Sequence, residues 1–230
     1  AQFAASLRRL RTDRVELLAV HNLRDWKTQL ALARELKAQG KVKYVGLTHF
    51  RDEAHDTLAD IVAAEKPDFV QINYAVGAPN AEKRVLPAAA DNGVAVMVNR
   101  AFDDGKLFAR VAGKALPGWA AEAGVTSWAQ MFLKFAISHE AVTVVIPATG
   151  KPDRQSDNLR GGIGLQDASI VKDNNGLEGN RVSNNLVLQP CMRMTDCGGI
   201  YLLSLFYQYN INTKYYHSFI LQNVVFLLFH

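Results

Sequence analysis

Hydrophobic and polar positions follow two unlike rhythms along this chain. From residue 1 to about 165, apolar runs rich in Val and Ile stand at Val15–Val20, Val42–Leu47, Phe69–Tyr74, Val94–Val98 and Val142–Ile146, as short buried strands would read. Helical segments fill the intervals. Trp26–Ala38 closes on Gly40, Glu53–Glu65 closes before Pro67, and Glu82–Asp91 closes on Gly93. Ser127-Trp128-Ala129-Gln130 has the spacing of a capping box and opens another helix. The opening AQFAASLRRLRTD has an amphipathic helical period of its own. The first strands begin about 26 residues apart, the repeat of a βα unit, which predicts parallel strands joined by crossover helices. Such strands build either an open doubly wound sheet or a (β/α)8 barrel. No apolar run leads into GxGxxG, so the open dinucleotide-binding sheet lacks its fingerprint and the barrel is favoured.

After about Gly164 the rhythm stops. Thirty alanines fall in residues 1–168 and none in residues 169–230. Asparagine, tyrosine, isoleucine and leucine take over, as in KDNNGLEGNRVSNN and IYLLSLFYQYNINTKYYHSFILQNVVFLLF. With no helical period and no regular turn spacing, residues 165–230 read as an unrelated appendage, disordered or artefactual, rather than a second domain. Its last segments are β-prone, apolar and nearly uncharged, an aggregation hazard where left unpaired. Residues 1–164 are the expected domain.

Composition narrows the classes. A chain of 230 residues that is 49% hydrophobic can bury a core. The net charge of +4 comes from scattered residues rather than a basic stripe, which argues against nucleic acid as a partner. Cys191 and Cys197 are too few for a disulfide framework and lack a paired metal spacing, so no metal is expected. No apolar leader core and no uncharged apolar run of about 18 residues occurs, so no membrane is expected as a partner. The expected compartment is the cytoplasm.

In a parallel barrel the C-terminal ends of the strands share one face, and chemistry is placed there. The polar residues that follow the apolar runs are His21 and Asn22; Thr48 and His49; Gln71, Asn73 and Tyr74; Asn99 and Arg100; and Thr149 with Arg154 and Asn158. A single polar residue at a strand end is ordinary. Five in succession build one polar mouth.

Those residues, in the segments SLRRLRTDRVELLAVHN, LKAQGKVKYVGLTHF, DFVQINY, VLPAAADNGVAVMVNRAF and VTVVIPATGKPDRQSDNL, resemble the aldo-keto reductase family from about residue 3 to residue 164. They look like its fourth to eighth barrel strands, which implies a partial (β/α)8 TIM barrel of the α/β class. NRAFDDGKLF and SWAQMFLKFAISHEAVTVVIPAT are most similar to a bacterial subgroup, some of whose members carry export signals. The resemblance implies NAD(P)H-dependent reduction of a small-molecule aldehyde or ketone. His21 matches the catalytic histidine that hydrogen-bonds the substrate carbonyl, a task a neutral imidazole performs without charge.

Cofactor roles follow by the same resemblance. Thr48, His49 and Gln71 stand where the family holds the nicotinamide carboxamide, with His49 in place of the usual asparagine. At Asn99-Arg100 the family usually stacks an aromatic on the nicotinamide; Arg100 could set a planar guanidinium near cofactor or substrate, or simply form a surface ion pair. Thr149, Arg154 and Asn158 resemble the adenosine-phosphate site. Arg154 favours NADPH, but a lysine often found at the position of Ala148 is missing, so NADH remains possible.

One departure matters most. The family's proton donor is a tyrosine whose pKa is lowered by a lysine and an aspartate, and those three residues lie on the first third of the barrel, for which this sequence has no counterpart. Tyr44 lies inside a strand and reads as core, and neither it nor Tyr74 is promoted to that role. The chain as given is therefore expected to be a truncated, inactive form. A non-catalytic nicotinamide-nucleotide-binding subunit and a misfolded fragment without function are the alternatives. Oligomeric state is not legible.

Overall fold

The structure is a computed structural model that describes residues 2–147, 154, 157, 158, 200–203 and 224–229. In chain order its regular elements are α1 (Gln2–Leu10), β1 (Val15–Val20), α2 (Trp26–Ala38), β2 (Val42–Thr48), α3 (His55–Glu65), β3 (Phe69–Asn73), α4 (Val85–Asp91), β4 (Ala95–Asn99), α5 (Lys106–Arg110), α6 (Trp128–Ile137), β5 (Val142–Val145), β6 (Ile200–Leu203) and β7 (Val224–Phe229). They fall into two compact units, residues 1–46 with 176–230, and residues 47–175.

In the first unit β1 is buried along almost its whole length, with Leu17, Leu18, Ala19 and Val20 nearly inaccessible. Burial of consecutive residues is what a parallel strand covered on both faces requires, and it explains the continuous apolar run. α2 packs on β1 and buries Leu30, Ala33 and Leu36, one stripe at helical spacing. Gly40 ends it with φ +70°, a left-handed value that glycine adopts without a Cβ clash. The Lys41 N–H then donates to Leu36 O at 3.0 Å, and the Val15 N–H to Lys41 O at 3.0 Å, which leads the chain from α2 into β2 beside β1. On its other side β1 pairs in parallel with β7, from Leu17 opposite Phe226 to Val20 opposite Phe229, and β7 pairs antiparallel with β6. The apolar C-terminal strand thus covers the β1 edge.

In the second unit β3, β4 and β5 are parallel neighbours. β3 and β4 keep strict register from Phe69 opposite Ala95 to Asn73 opposite Asn99, while the β4–β5 register shifts between Val96 and Met97. The core is built from Leu58 and Val62 of α3, Ile72 of β3, Leu86 of α4, Val96 and Val98 of β4 and Leu133 of α6, all fully buried. Ser127 caps α6, its Oγ accepting from the Gln130 N–H at 3.2 Å. The expected capping box is only half made: the Gln130 side chain reaches past Ser127 and accepts from the Thr126 N–H at 2.9 Å.

Two helical expectations change in detail. Glu82–Asp91 divides into a 3-10 turn over Asn80–Lys83 and α4, broken at Arg84, whose φ of −142° leaves the helical region. Pro87 then lies in the first turn of α4, where its missing N–H costs nothing. The stretch before His55 is likewise a 3-10 turn, Asp52–Ala54, rather than the first turn of α3.

Ile72→Ala in the centre of β3 is expected to lower unfolding free energy by about 2–5 kcal/mol through lost burial and a residual cavity. Leu32→Ala, on an exposed position of α2, should change it by less than about 0.5 kcal/mol. Urea denaturation of the two variants beside the parent chain measures both.

Candidate functional site

Parallel strands deliver the candidate residues of the second unit to one place, the C-terminal ends of β2, β3 and β4. Thr48, the last residue of β2, is buried. The next residue, His49, is tied to β3 by its own N–H, which donates to Gln71 O at 2.9 Å. Asn99 ends β4, and its Nδ2 lies 3.5 Å from His49 O, at the outer limit of a hydrogen bond. Its Oδ1 is buried and has no partner among the described residues. Gln71, half-buried, and Asn73, buried, lie two apart on β3 and so share a face.

The state of His49 is fixed by its neighbours. Its Nδ1 accepts from the Arg51 N–H at 3.2 Å, so in the neutral ring Nε2 carries the proton and is a donor. Burial, then the nearby His55, hold its pKa below the ordinary imidazole value against the charge of Glu53. A neutral donor results.

Arg100 forms the ion pair that was one of its two readings in the sequence, and packs on an aromatic ring besides. Its guanidinium lies over the Phe50 ring, 4.3 Å from the centroid, and Nη1 pairs with Asp104 at 3.0 Å. Phe50 in turn stacks with the His49 ring at 5.6 Å between centroids and 9° between planes. The imidazole, the ring and the guanidinium form one layered group of flat side chains. Arg100 has φ +53°, and Asp103 and Asp104 are left-handed too. A residue other than glycine held there costs on the order of 1–3 kcal/mol, and such strain gathers at functional loops.

Beyond β5 the described residues are Arg154, Asp157 and Asn158. Arg154 is exposed and Asn158 buried. Asp157 anchors the segment on α6, accepting from Ser127 Oγ and from Gln130 Nε2, each at 2.6 Å. Thr149 lies outside the described residues. His21, in the first unit, follows β1 directly and is half-buried in a 3-10 turn, His21–Leu23. Asn22, Leu23 and Asp25 after it all have positive φ, so this strand end is strained as well.

Tyr74 lacks the surroundings of a proton donor. The Tyr74 hydroxyl donates to Glu82 Oε1 at 2.6 Å, and burial first, then Glu82, pushes its pKa far above the usual phenol value. Tyr44 lies within β2 beside Lys43, whose ammonium sits 5.1 Å from the ring centroid. Three features escaped the sequence: Phe50 as the platform under Arg100, Asp157 as the anchor of the last segment, and a hydrogen-bonded set of Asp52, His55, Asn73 and Asn80. Only Asn73 among that set stood at a recognised strand end.

The donor set at these strand ends suits a primary carboxamide. His49 Nε2–H offers a donor for a carbonyl oxygen, while the Thr48 hydroxyl and the Gln71 amide oxygen offer acceptors for an amide N–H. Repeated βα units with parallel strands define the class, an α/β fold of the β/α-barrel type. The chain belongs to the aldo/keto reductase family, whose family model matches residues 1–170.

Similar proteins agree on the fold. An aldo-keto reductase of Bacillus halodurans in its holo form matches with a TM-score of 0.55 at 18% identity, over 70% of this chain and 59% of that one. An aldo/keto reductase from Klebsiella pneumoniae, solved in complex with NADP and acetate, has a TM-score of 0.55 at 22% identity, over 69% of this chain and 56% of that one. Among curated proteins, the NADH-specific methylglyoxal reductase of Escherichia coli K12 is 26% identical over 129 residues, 52% of this chain and 37% of that protein. The chain therefore spans little more than half of the solved relatives and just over a third of the curated one. Among the described residues no helix is long and apolar enough to cross a membrane.

The His49 imidazole is expected to titrate below about 6.5 in an NMR pH series. Because its folded pKa is the lower one, it contributes stability that is complete above about 6.5 and declines as pH falls toward the folded value. Between those two values the stability difference between the parent chain and His49→Ala should shrink as the pH falls.

Proposed function

We propose that residues 1–164 form the nicotinamide-binding part of a carbonyl reductase, holding NADPH or NADH beside a small aldehyde or ketone. The observation that carries this is the tautomer of His49: with Nδ1 engaged by Arg51 N–H, its remaining ring nitrogen is a donor where the family has an asparagine amide. Thr48 and Gln71 complete the carboxamide contacts. Bound reduced nicotinamide supplies the hydride for the carbonyl carbon. His21 hydrogen-bonds the carbonyl oxygen and orients it, and Arg100 presents a guanidinium face, levelled by Phe50, to cofactor or substrate. Asn99 lines the same strand ends, and Thr149, Arg154 and Asn158 take the adenosine phosphate.

NADPH is preferred to NADH through Arg154, whose exposed guanidinium suits a phosphate. The relatives' names point both ways, one complexed with NADP and one described as NADH-specific. Proton delivery is a separate matter. Reduction to the alcohol needs a proton at the carbonyl oxygen, and the raised pKa of Tyr74 makes it a poor source. We therefore infer that this chain by itself binds the nucleotide without turning over a carbonyl.

Fluorescence titration is expected to give saturable NADPH binding, and His49→Ala and Gln71→Ala should each weaken it by about tenfold, the worth of one good hydrogen bond. An assay with methylglyoxal and NADPH should show no turnover above His21→Ala. Turnover that depends on His21 would overturn the second inference. Absence of NADPH and NADH binding would overturn the first.

A further inference from the structure

We propose that Asn73 is a positioning residue: bonded at once to Asp52 and His55, it fixes the segment from Thr48 to His55 and thereby the pose of the His49 imidazole beside Gln71. The inference rests on the nicotinamide-binding role proposed above. Its basis is a chain of forced orientations. Both oxygens of Asp52 are acceptors, and they take Asn73 Nδ2 at 2.5 Å and Asn80 Nδ2 at 2.6 Å. The amide of Asn73 can therefore face only one way, with Oδ1 toward His55 Nε2 at 3.0 Å. His55 must carry its proton on Nε2 to meet it. Its Nδ1 is left buried with no partner among the described residues, as expected of a bare lone pair on a ring held by its other nitrogen.

These bonds join three separate pieces of chain: the 3-10 turn Asp52–Ala54 with the start of α3, the end of β3, and the 3-10 turn Asn80–Lys83. His55 and Asn73 are 5% and 7% exposed, so water does not compete for the central bond. His49, Phe50 and Arg51 lie between two fixed points, the His49 N–H bond to Gln71 O and the bonds of Asp52. Gln71 and Asn73 share one face of β3, so a single strand presents the amide and holds the loop opposite it.

His55 and Lys83 act on Asp52, and His55, Arg51 and Glu53 act on His49. Partial burial raises the Asp52 pKa, but the amides of Asn80 and Asn73, with the nearby His55 and Lys83, outweigh it and keep the carboxyl below its ordinary value. Asp52 therefore stays ionised well into the acid range.

Asn73→Asp tests the proposal. It keeps size and the acceptor toward His55 but sets a second carboxylate against Asp52, and such a pair regains its hydrogen bond only by sharing a proton. The probes are NADP+ and its nicotinamide-free counterpart 2′-phospho-ADP-ribose, titrated calorimetrically into the full chain. At about pH 8, N73D should bind NADP+ roughly tenfold more weakly than the parent with 2′-phospho-ADP-ribose unchanged, and near pH 5 the gap should close. Asp52→Asn should show the same nicotinamide-specific loss without the recovery at low pH, which keeps the test decisive if N73D folds poorly. Equal weakening of both nucleotides at every pH, or of neither, overturns the proposal. If the parent chain binds no nucleotide, the cofactor role is what fails. The positioning claim is then decided by long-range 15N–1H spectra: N73D at about pH 8 shifts the ring nitrogens of both His55 and His49 if it holds, and leaves His49 unmoved if it does not.

Discussion

Parallel strands cannot be joined by a tight turn, and that constraint organises this protein. Each must be followed by a crossover long enough to carry the chain back to the starting edge, usually a helix. In the second unit β3, β4 and β5 accordingly run in one direction with α4 and α6 in the crossovers, and the polar C-terminal ends of β3 and β4 lie side by side. The backbone of a strand end has no further ladder to satisfy, so polar side chains and loop amides take over. The hydrogen bonds of the His49 N–H and the Asn99 side chain are instances of that substitution.

Much of the framework was legible because it rests on local periodicity. Trp26–Ala38 is a helix with those bounds, and the five apolar runs are all strands, shifted by a residue or so at their ends. α5 escaped because five residues carry too little period to separate from a loop. The candidate site was legible only as a row of polar residues. Its arrangement depends on partners far apart in the chain, with 18, 21 and 28 residues separating His55 from Asn73, Asn73 from Asp52 and Asn80 from Asp52. No window of sequence contains such a network.

Residue type and tertiary setting meet in two further places. Residues 169–230 lack alanine and helical period, yet two short apolar stretches within them, β6 and β7, pair as strands, and β7 runs parallel to β1. A β-prone, uncharged segment finds an apolar strand edge whatever its origin, since the edge offers unpaired backbone groups. Arg100 is the converse case. Nothing in the sequence hinted at its platform, Phe50 two residues beyond Thr48, whose ring centroid lies 4.3 Å from the guanidinium.

The central claim is that the ends of β2 and β3 grip the carboxamide of a nicotinamide. It is tested most directly by 1H–15N spectra of the full chain recorded while NADPH is added. The account predicts that the Gln71 side-chain amide and the His49 ring nitrogens shift on saturation, and that 2′-phospho-ADP-ribose, which lacks the nicotinamide, leaves them in place. Saturable NADPH binding with both signals unmoved would contradict it.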